Sequence, residues 1–224
     1  MNQKSAIHKI NQQGVLLVFP IDNKKEPKSL WSEFYPRSKM RWEWNTEGDS
    51  RVSDMWMLMK QLSDTKKVVY TKWYQGRATF FSREVFSALL CVFQNNMDVG
   101  AGLSRTARQL LETLQGDSPL STKQLKALTE LQGKDNESLY NRSMKELFSR
   151  FLIVAFGEVD DGAFPSLAVG ATSLLYEELL SEAQSMDVKR AWAVVDRFLP
   201  ERSLFRKHLD KVLKSVPRHE AFLS

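Results

Sequence analysis

The 224-residue sequence contains one cysteine and three histidines, and both shortages restrict its chemistry. Cys91 has no partner for a disulfide within the chain, and its apolar neighbours favour a buried thiol. This pattern predicts a reduced, cytoplasmic setting. The histidines (His8, His208 and His219) lie far apart without the spacing of metal ligands, so we expect no metal site.

Long apolar runs are also missing. The run at residues 15–21 is interrupted by Pro20, and no small-residue cleavage site follows it, so we expect neither a signal peptide nor a membrane span. The sequence contains no phosphate-binding glycine loop and no nucleophile elbow. On these grounds we predict no catalytic residues and no cofactor, and we favour a protein that is not an enzyme.

The composition that remains is that of an ordinary globular protein. Hydrophobic residues make up 42% of the chain and charged residues 26%, without low-complexity segments. The 32 basic and 27 acidic residues give a net charge of +5, which permits nucleic-acid binding but does not require it. Helical and strand spacings both occur, and they predict an α+β fold that is mainly helical.

A first region, residues 1–99, is rich in aromatic side chains and reads as α+β. We expect a strand at residues 14–20, a helix from Ser29, and a second helix capped by Asp49 or Ser50. A hairpin around Gly76 and a further helix follow. Helices followed by a hairpin also fit a degenerate winged helix, so tandem modules are one interpretation. This region contains five of the six tryptophans: Trp31, Trp42, Trp44, Trp56 and Trp73.

The hairpin of the first region is strongly basic. Residues 66–83 include no acidic side chain, and their cations are Lys66, Lys67, Lys72, Arg77 and Arg83. Aromatic residues alternate with them: Tyr70, Trp73, Tyr74, Phe80 and Phe81. Such a mixture binds nucleic acids when the cations contact phosphates and the rings stack on bases. The structural alternative is a hairpin with one face in the core and the other in solvent.

A second region, residues 100–184, predicts a winged helix-turn-helix module. Ser104 caps a helix that ends at Gly116, and Ser121 with Gln124 has the spacing of a capping box. We expect that helix to stop at Gly133 and a third helix to be capped by Asn136. A hairpin at residues 152–169 then supplies the wing, and Thr172 would cap a further helix. Three helices followed by a hairpin make up the winged-helix plan.

The outward face of the third helix carries polar side chains suited to DNA. Arg142 and Lys145 would contact phosphates or guanine, Asn141 adenine, and Ser138 phosphate or base. A merely solvated helix face is the alternative. The tip of the wing is acidic, with Glu158, Asp160 and Asp161, and would repel phosphates. We therefore expect the wing to face another part of the protein or a protein partner.

The third region, residues 185–224, reads as a C-terminal extension of two helices separated by Pro200.

Three stretches resemble the bacterial AlkZ-related proteins, which are similar to a family of DNA glycosylases built from tandem winged helices. They are residues 47–52 (EGDSRV), residues 67–82 (KVVYTKWYQGRATFFS) and the segment 104–170, and the resemblance covers about residues 30–180. It implies a cytoplasmic DNA-binding protein linked to alkylated or crosslinked DNA. The glycosylases use a glutamine, an aliphatic residue, and then glutamine or aspartate. Here the formal match, Gln115-Gly116-Asp117, has glycine in the middle, so the resemblance does not carry over catalysis.

Together these patterns predict a non-catalytic protein that binds double-stranded DNA, in repair or regulation. The residues expected to contact DNA are Lys66, Lys67, Lys72, Arg77, Ser138, Asn141, Arg142 and Lys145. One alternative is a DNA glycosylase for alkylated bases, with the tryptophan-rich region as its pocket. Another is a winged-helix interaction module that binds a protein partner at its acidic wing. The hypothesis of DNA binding requires the basic hairpin and the third helix to share one face.

Overall fold

The computed structural model describes residues 1–41, 49–159 and 166–217 of the chain, and 56% of these residues are helical. The remaining regular structure is a six-stranded sheet, so the prediction of an α+β, mainly helical fold is confirmed. The helices are α1 (Gln3–Gln13), α2 (Leu30–Phe34), α3 (Ser50–Ser63), α4 (Arg83–Asn96), α5 (Arg105–Gly116), α6 (Thr122–Leu128), α7 (Lys134–Ser149), α8 (Thr172–Leu175), α9 (Glu177–Ser185), α10 (Val188–Phe198) and α11 (Leu204–Ser215). The strands are β1 (Val15–Leu17), β2 (Val69–Thr71), β3 (Thr79–Phe81), β4 (Leu120–Ser121), β5 (Ile153–Val159) and β6 (Ser166–Ala171).

The chain uses one element order twice. The elements α1-β1-α2-α3-β2-β3 and α5-β4-α6-α7-β5-β6 both run helix, strand, helix, helix, strand, strand. Strand pairing repeats as well, because the last strand of each half pairs antiparallel with both the first and the second. Each half therefore has the same small sheet covered by the same three helices.

The two halves join edge to edge in the middle of the sheet. Its strand order is β1-β3-β2-β5-β6-β4, and β2 meets β5 antiparallel at the pair Tyr70 and Ala155. The sheet thus runs across the division between the first and second regions. The three-region division and the assignment of either half to the winged helix-turn-helix class stay predictions.

Helices cover both faces of the sheet, because its strands alternate side chains between two cores. One core contains Tyr70 and Phe80 and is closed by α1, α2, α3, α5, α6 and α7. The other contains Trp73 and Phe81 and is closed by α4, α8, α9, α10 and α11. The two cores together bury the aromatic side chains of the basic hairpin, with Tyr70 and Phe80 in the first core and Trp73, Tyr74 and Phe81 in the second. The expectation that its rings stack on bases is wrong, since Tyr70, Trp73, Tyr74, Phe80 and Phe81 are at most 4% exposed.

Several helix starts follow their predicted caps. The Ser104 hydroxyl accepts from the Ala107 amide, and Ser121 forms a reciprocal capping box with Gln124. Asp49 caps α3.

Two predicted caps are wrong. Helix α7 begins at Lys134, and Asn136 donates its side-chain amide to the carbonyl of Gln132 instead. Thr172 is the first residue of the short helix α8, and its hydroxyl donates to the carbonyl of Phe151. Helix α6 also ends earlier than expected, at Leu128 and not near Gly133. In the described ranges, no helix combines the length and apolarity that crossing a bilayer requires.

Candidate nucleic-acid interface

A cleft of about 350 Å³ lies between the two halves, where the turn after β2 faces helix α7. Lys72 and Gly76 of this turn line one side, and Tyr140, Asn141 and Lys145 of α7 line the other. The antiparallel pairing of β2 with β5 brings this turn and α7 close together. It sets the end of β2 beside the start of β5, which follows α7 directly. The turn of the basic hairpin and the third helix of the second half therefore meet at this cleft.

Lys72 lies inside the cleft and not on an open surface. Its side chain is only partly exposed, and burial lowers the pKa of its amine. Within the described ranges, this amine has no hydrogen-bond or ion-pair partner. Lys72 is thus a free, partly desolvated amine.

Arg77 projects from the tip of the same turn. Gln75 and Gly76 have φ of 54° and 77°, and the Arg77 amide donates to the Tyr74 carbonyl over 2.9 Å. This conformation closes a tight turn, for which glycine is well suited. The Arg77 side chain is exposed next to Gly76, which lines the cleft.

Lys66 and Lys67 lie at the opposite end of β2, away from the cleft lining. The Lys66 ammonium is 5.9 Å from the ring centres of both Phe156 and Tyr176, a cation–π geometry. Lys67 is exposed. The structure therefore divides the cations of the basic hairpin into two groups. Lys72 lines the cleft and Arg77 lies in the turn beside it, whereas Lys66 and Lys67 lie at the other end of β2.

The predicted contact residues of α7 differ in their surroundings. Ser138, Arg142 and Lys145 are exposed and recur along one side of the helix. Asn141 is exposed too, but its amide nitrogen donates to the Glu137 carboxylate over 3.1 Å. Glu137 also pairs with Lys126 at 2.5 Å, and these hydrogen bonds lower the pKa of its carboxyl. Glu137 is the one carboxylate among the described residues of the cleft lining, and both Asn141 and Lys126 bind it.

Tyr140 also lines the cleft, although its spacing in the sequence predicts only a core residue. It is 4% exposed, and its hydroxyl has no hydrogen-bond partner among the described residues. Burial raises the pKa of this hydroxyl, so it stays protonated and able to donate. Nothing in the sequence separates such a hydroxyl from an ordinary core tyrosine.

The C-terminal helix α11 lies close to Lys145, a residue of the cleft lining. His208 donates from Nε2 to the Trp73 carbonyl over 3.1 Å, and its ring lies edge-on against Trp73 at 4.7 Å. Burial lowers the pKa of His208, and the positive charges of Lys145 and Lys211 lower it further. Lys145 and Lys211 therefore lie near the same ring. Lys207, Lys211 and Lys214 recur at helical spacing in the sequence, but this spacing alone does not place α11 beside α7.

The described part of the acidic wing contacts the first half of the chain, which is one of the two orientations expected from the sequence. Glu158, whose side chain is 10% exposed, pairs with Lys60 of α3 at 3.4 Å. Gly157 lies against Ser63 and Asp64 at the end of the same helix. The second hairpin therefore contacts α3, the third helix of the first half. Asp160 and Asp161 lie outside the described residues, as do Trp42 and Trp44.

The formal glycosylase match lies on a different part of the surface. Gln115 and Gly116 end α5, and Asp117 follows as its cap. All three residues are exposed, and Gln115 borders a separate pocket of about 100 Å³ next to Arg150. The triplet does not contribute to the lining of the cleft.

Comparison with known proteins gives one family assignment. No curated protein and no solved structure matches the chain. A family model described as AlkZ related matches residues 1–213, which is nearly the whole sequence. The chain therefore belongs to the AlkZ-related family.

Proposed function

We propose that this protein binds double-stranded DNA in the bacterial cytoplasm, through the cleft between the β2–β3 turn and α7. The observation that carries the proposal is the approach of two cationic segments, 72–77 and 141–145, that are distant in sequence. Both come from halves with the element order expected of a winged helix, so the DNA would contact tandem modules at once.

Four exposed cations lie in the cleft lining or on the elements next to it and supply the positive charge: Lys145 in the lining, Arg77 beside Gly76, Arg142 on α7 and Lys211 on α11. In the described part of the chain none of them forms an ion pair, so neutralising phosphates would break no existing contact. The α7 helix is about 24 Å long, and its exposed side fits a major groove about 12 Å wide. Backbone phosphates are the natural partners of such dispersed cations.

This surface favours contact with the DNA backbone over reading of its sequence. Asn141, the residue best suited to adenine, already donates to Glu137. The remaining exposed residues are mainly cations, which contribute affinity and little discrimination between bases. We therefore expect binding to many duplexes and a role in repair or regulation that sets no strict sequence requirement.

A binding titration tests the proposal. Fluorescence anisotropy of a labelled duplex of about 20 base pairs at low salt should show saturable binding, because counterions leave the neutralised phosphates. The double variant Arg77→Gln with Arg142→Gln should bind more weakly, whereas Lys189→Gln on α10 gives a control with a single charge removed elsewhere. Absence of binding by the wild-type protein would refute the proposal.

The internal pairing of Glu158 with Lys60 favours DNA binding over the interaction-module alternative. A wing that already contacts α3 presents less free acidic surface to a protein partner. The glycosylase alternative has its own readout, which is release of a base from alkylated duplex DNA. Base release would add catalysis to the binding function.

A further inference from the structure

Lys72 and Tyr140 have properties that phosphate binding does not require. A phosphate-binding lysine is usually exposed and fully charged, but the Lys72 side chain is partly buried in the cleft. Its amine has no partner in the described ranges, and the neighbouring Tyr140 hydroxyl is buried without one. Two unpaired polar groups in one cleft lose hydration without a compensating hydrogen bond. Such an arrangement is typical of a site that receives a ligand.

The other amines of the cleft have different surroundings. Lys126 is paired with Glu137 and stacked over the Tyr140 ring at 4.6 Å, and Lys145 is exposed to solvent. Burial in the cleft lowers the pKa of Lys72, which favours the neutral amine relative to an exposed lysine. Desolvation of this kind activates a lysine amine as a nucleophile toward carbonyl carbon.

We infer that Lys72 captures the aldehyde of a ring-opened abasic site in duplex DNA as a reversible imine. This inference rests on the proposed function, which brings DNA to the cleft. Intact nucleotides offer no free aldehyde, whereas loss of a base leaves deoxyribose in equilibrium with an open form that has an aldehyde at C1′. The cations around the cleft would hold the flanking phosphates while C1′ approaches Lys72.

The chemical step needs no further reagent. The lone pair of the Lys72 nitrogen forms a bond to C1′, and the carbonyl oxygen becomes a hydroxyl as a proton passes to it from the nitrogen. This hydroxyl then takes a proton from a solvent water molecule and leaves as water, while a C=N bond forms. The iminium nitrogen returns its proton to the hydroxide so formed, and hydrolysis reverses every step.

Reductive trapping tests the inference. A labelled duplex containing one abasic site is mixed with the full-length protein and sodium borohydride, which reduces an imine to a stable secondary amine. We expect a covalent protein–DNA band, with peptide mapping placing the adduct on Lys72. Lys72→Arg and Lys72→Met should abolish the band. Lys189→Arg should leave it unchanged.

Binding to a duplex with a tetrahydrofuran abasic analogue, which has no aldehyde, separates this inference from the proposed function. If the wild-type protein binds the analogue but gives no trapped band, imine capture is refuted and DNA binding stands. An adduct that maps to another amine, or that persists in Lys72→Met, also refutes it. Failure of both binding and trapping refutes both proposals.

Discussion

Replacement of Lys145 by glutamine should remove one phosphate contact, and DNA binding should then depend less steeply on salt. Lys145 is exposed, lines the cleft and lies near His208 together with Lys211. Each neutralised phosphate contributes about 0.9 to the slope of log K against log salt, so four contacts give about −3.6. Between about 50 and 200 mM salt the affinity of the wild-type protein should then fall about 150-fold. With three contacts the slope becomes about −2.7 and the fall about 40-fold.

The assay is fluorescence anisotropy with one duplex at several salt concentrations. Lys189→Gln serves as the matched control, because it removes one positive charge from α10, which packs against α4 in the other layer. Its slope should equal that of the wild-type protein. If Lys145→Gln and Lys189→Gln have the same slope, Lys145 does not contact a phosphate, and the placement of DNA over α7 is wrong.

Three further predictions concern stability, each measured as the free energy of unfolding in urea. Tyr140→Phe removes a buried hydroxyl without a partner, so it should leave the protein as stable or up to about 1 kcal/mol more stable; a loss of more than about 1 kcal/mol would show that the hydroxyl is satisfied. Gly14→Ala should cost about 2–3 kcal/mol, because Gly14 has φ of 75° and a Cβ there would lie 2.5 Å from the Phe198 ring; an unchanged stability would contradict that contact. His208 has a lowered pKa in the folded state, so the unfolded chain binds its proton more readily, and stability should fall as the pH drops below about 6.5. His208→Gln should lessen this fall, and an identical pH profile would show that another group causes it.

Local spacing was sufficient to predict much of the fold. The leucines of α5 recur at three- and four-residue intervals, and the capping box at Ser121 marks the start of α6 by its chemistry alone. Other elements lack such a signal. Helix α1 buries only Ala6 and Ile10 completely, and its one other isoleucine, Ile7, is half-buried. Strand β4 has two residues, too few for any alternation to appear.

The position of the candidate site depends on long-range contacts, which no local sequence pattern encodes. The cleft exists because Tyr70 pairs with Ala155, residues far apart in the chain. This pairing, and not the identity of Lys72, determines that its amine is partly buried whereas Lys67 is exposed. The sequence indicated cations of the correct kind at Arg77, Arg142 and Lys145. The sequence did not indicate that Lys66 and Lys67 lie away from the cleft, or that α11 lies close to it.

Lysine and arginine footprinting tests the central claim most directly. The protein is labelled at its exposed side chains with and without a saturating duplex, and the modified peptides are quantified by mass spectrometry. If one continuous surface binds DNA, Arg77 in the β2–β3 turn and both Arg142 and Lys145 in α7 should be protected together, while Lys189 stays reactive. Protection of only one of these two segments, or of neither, would contradict the account.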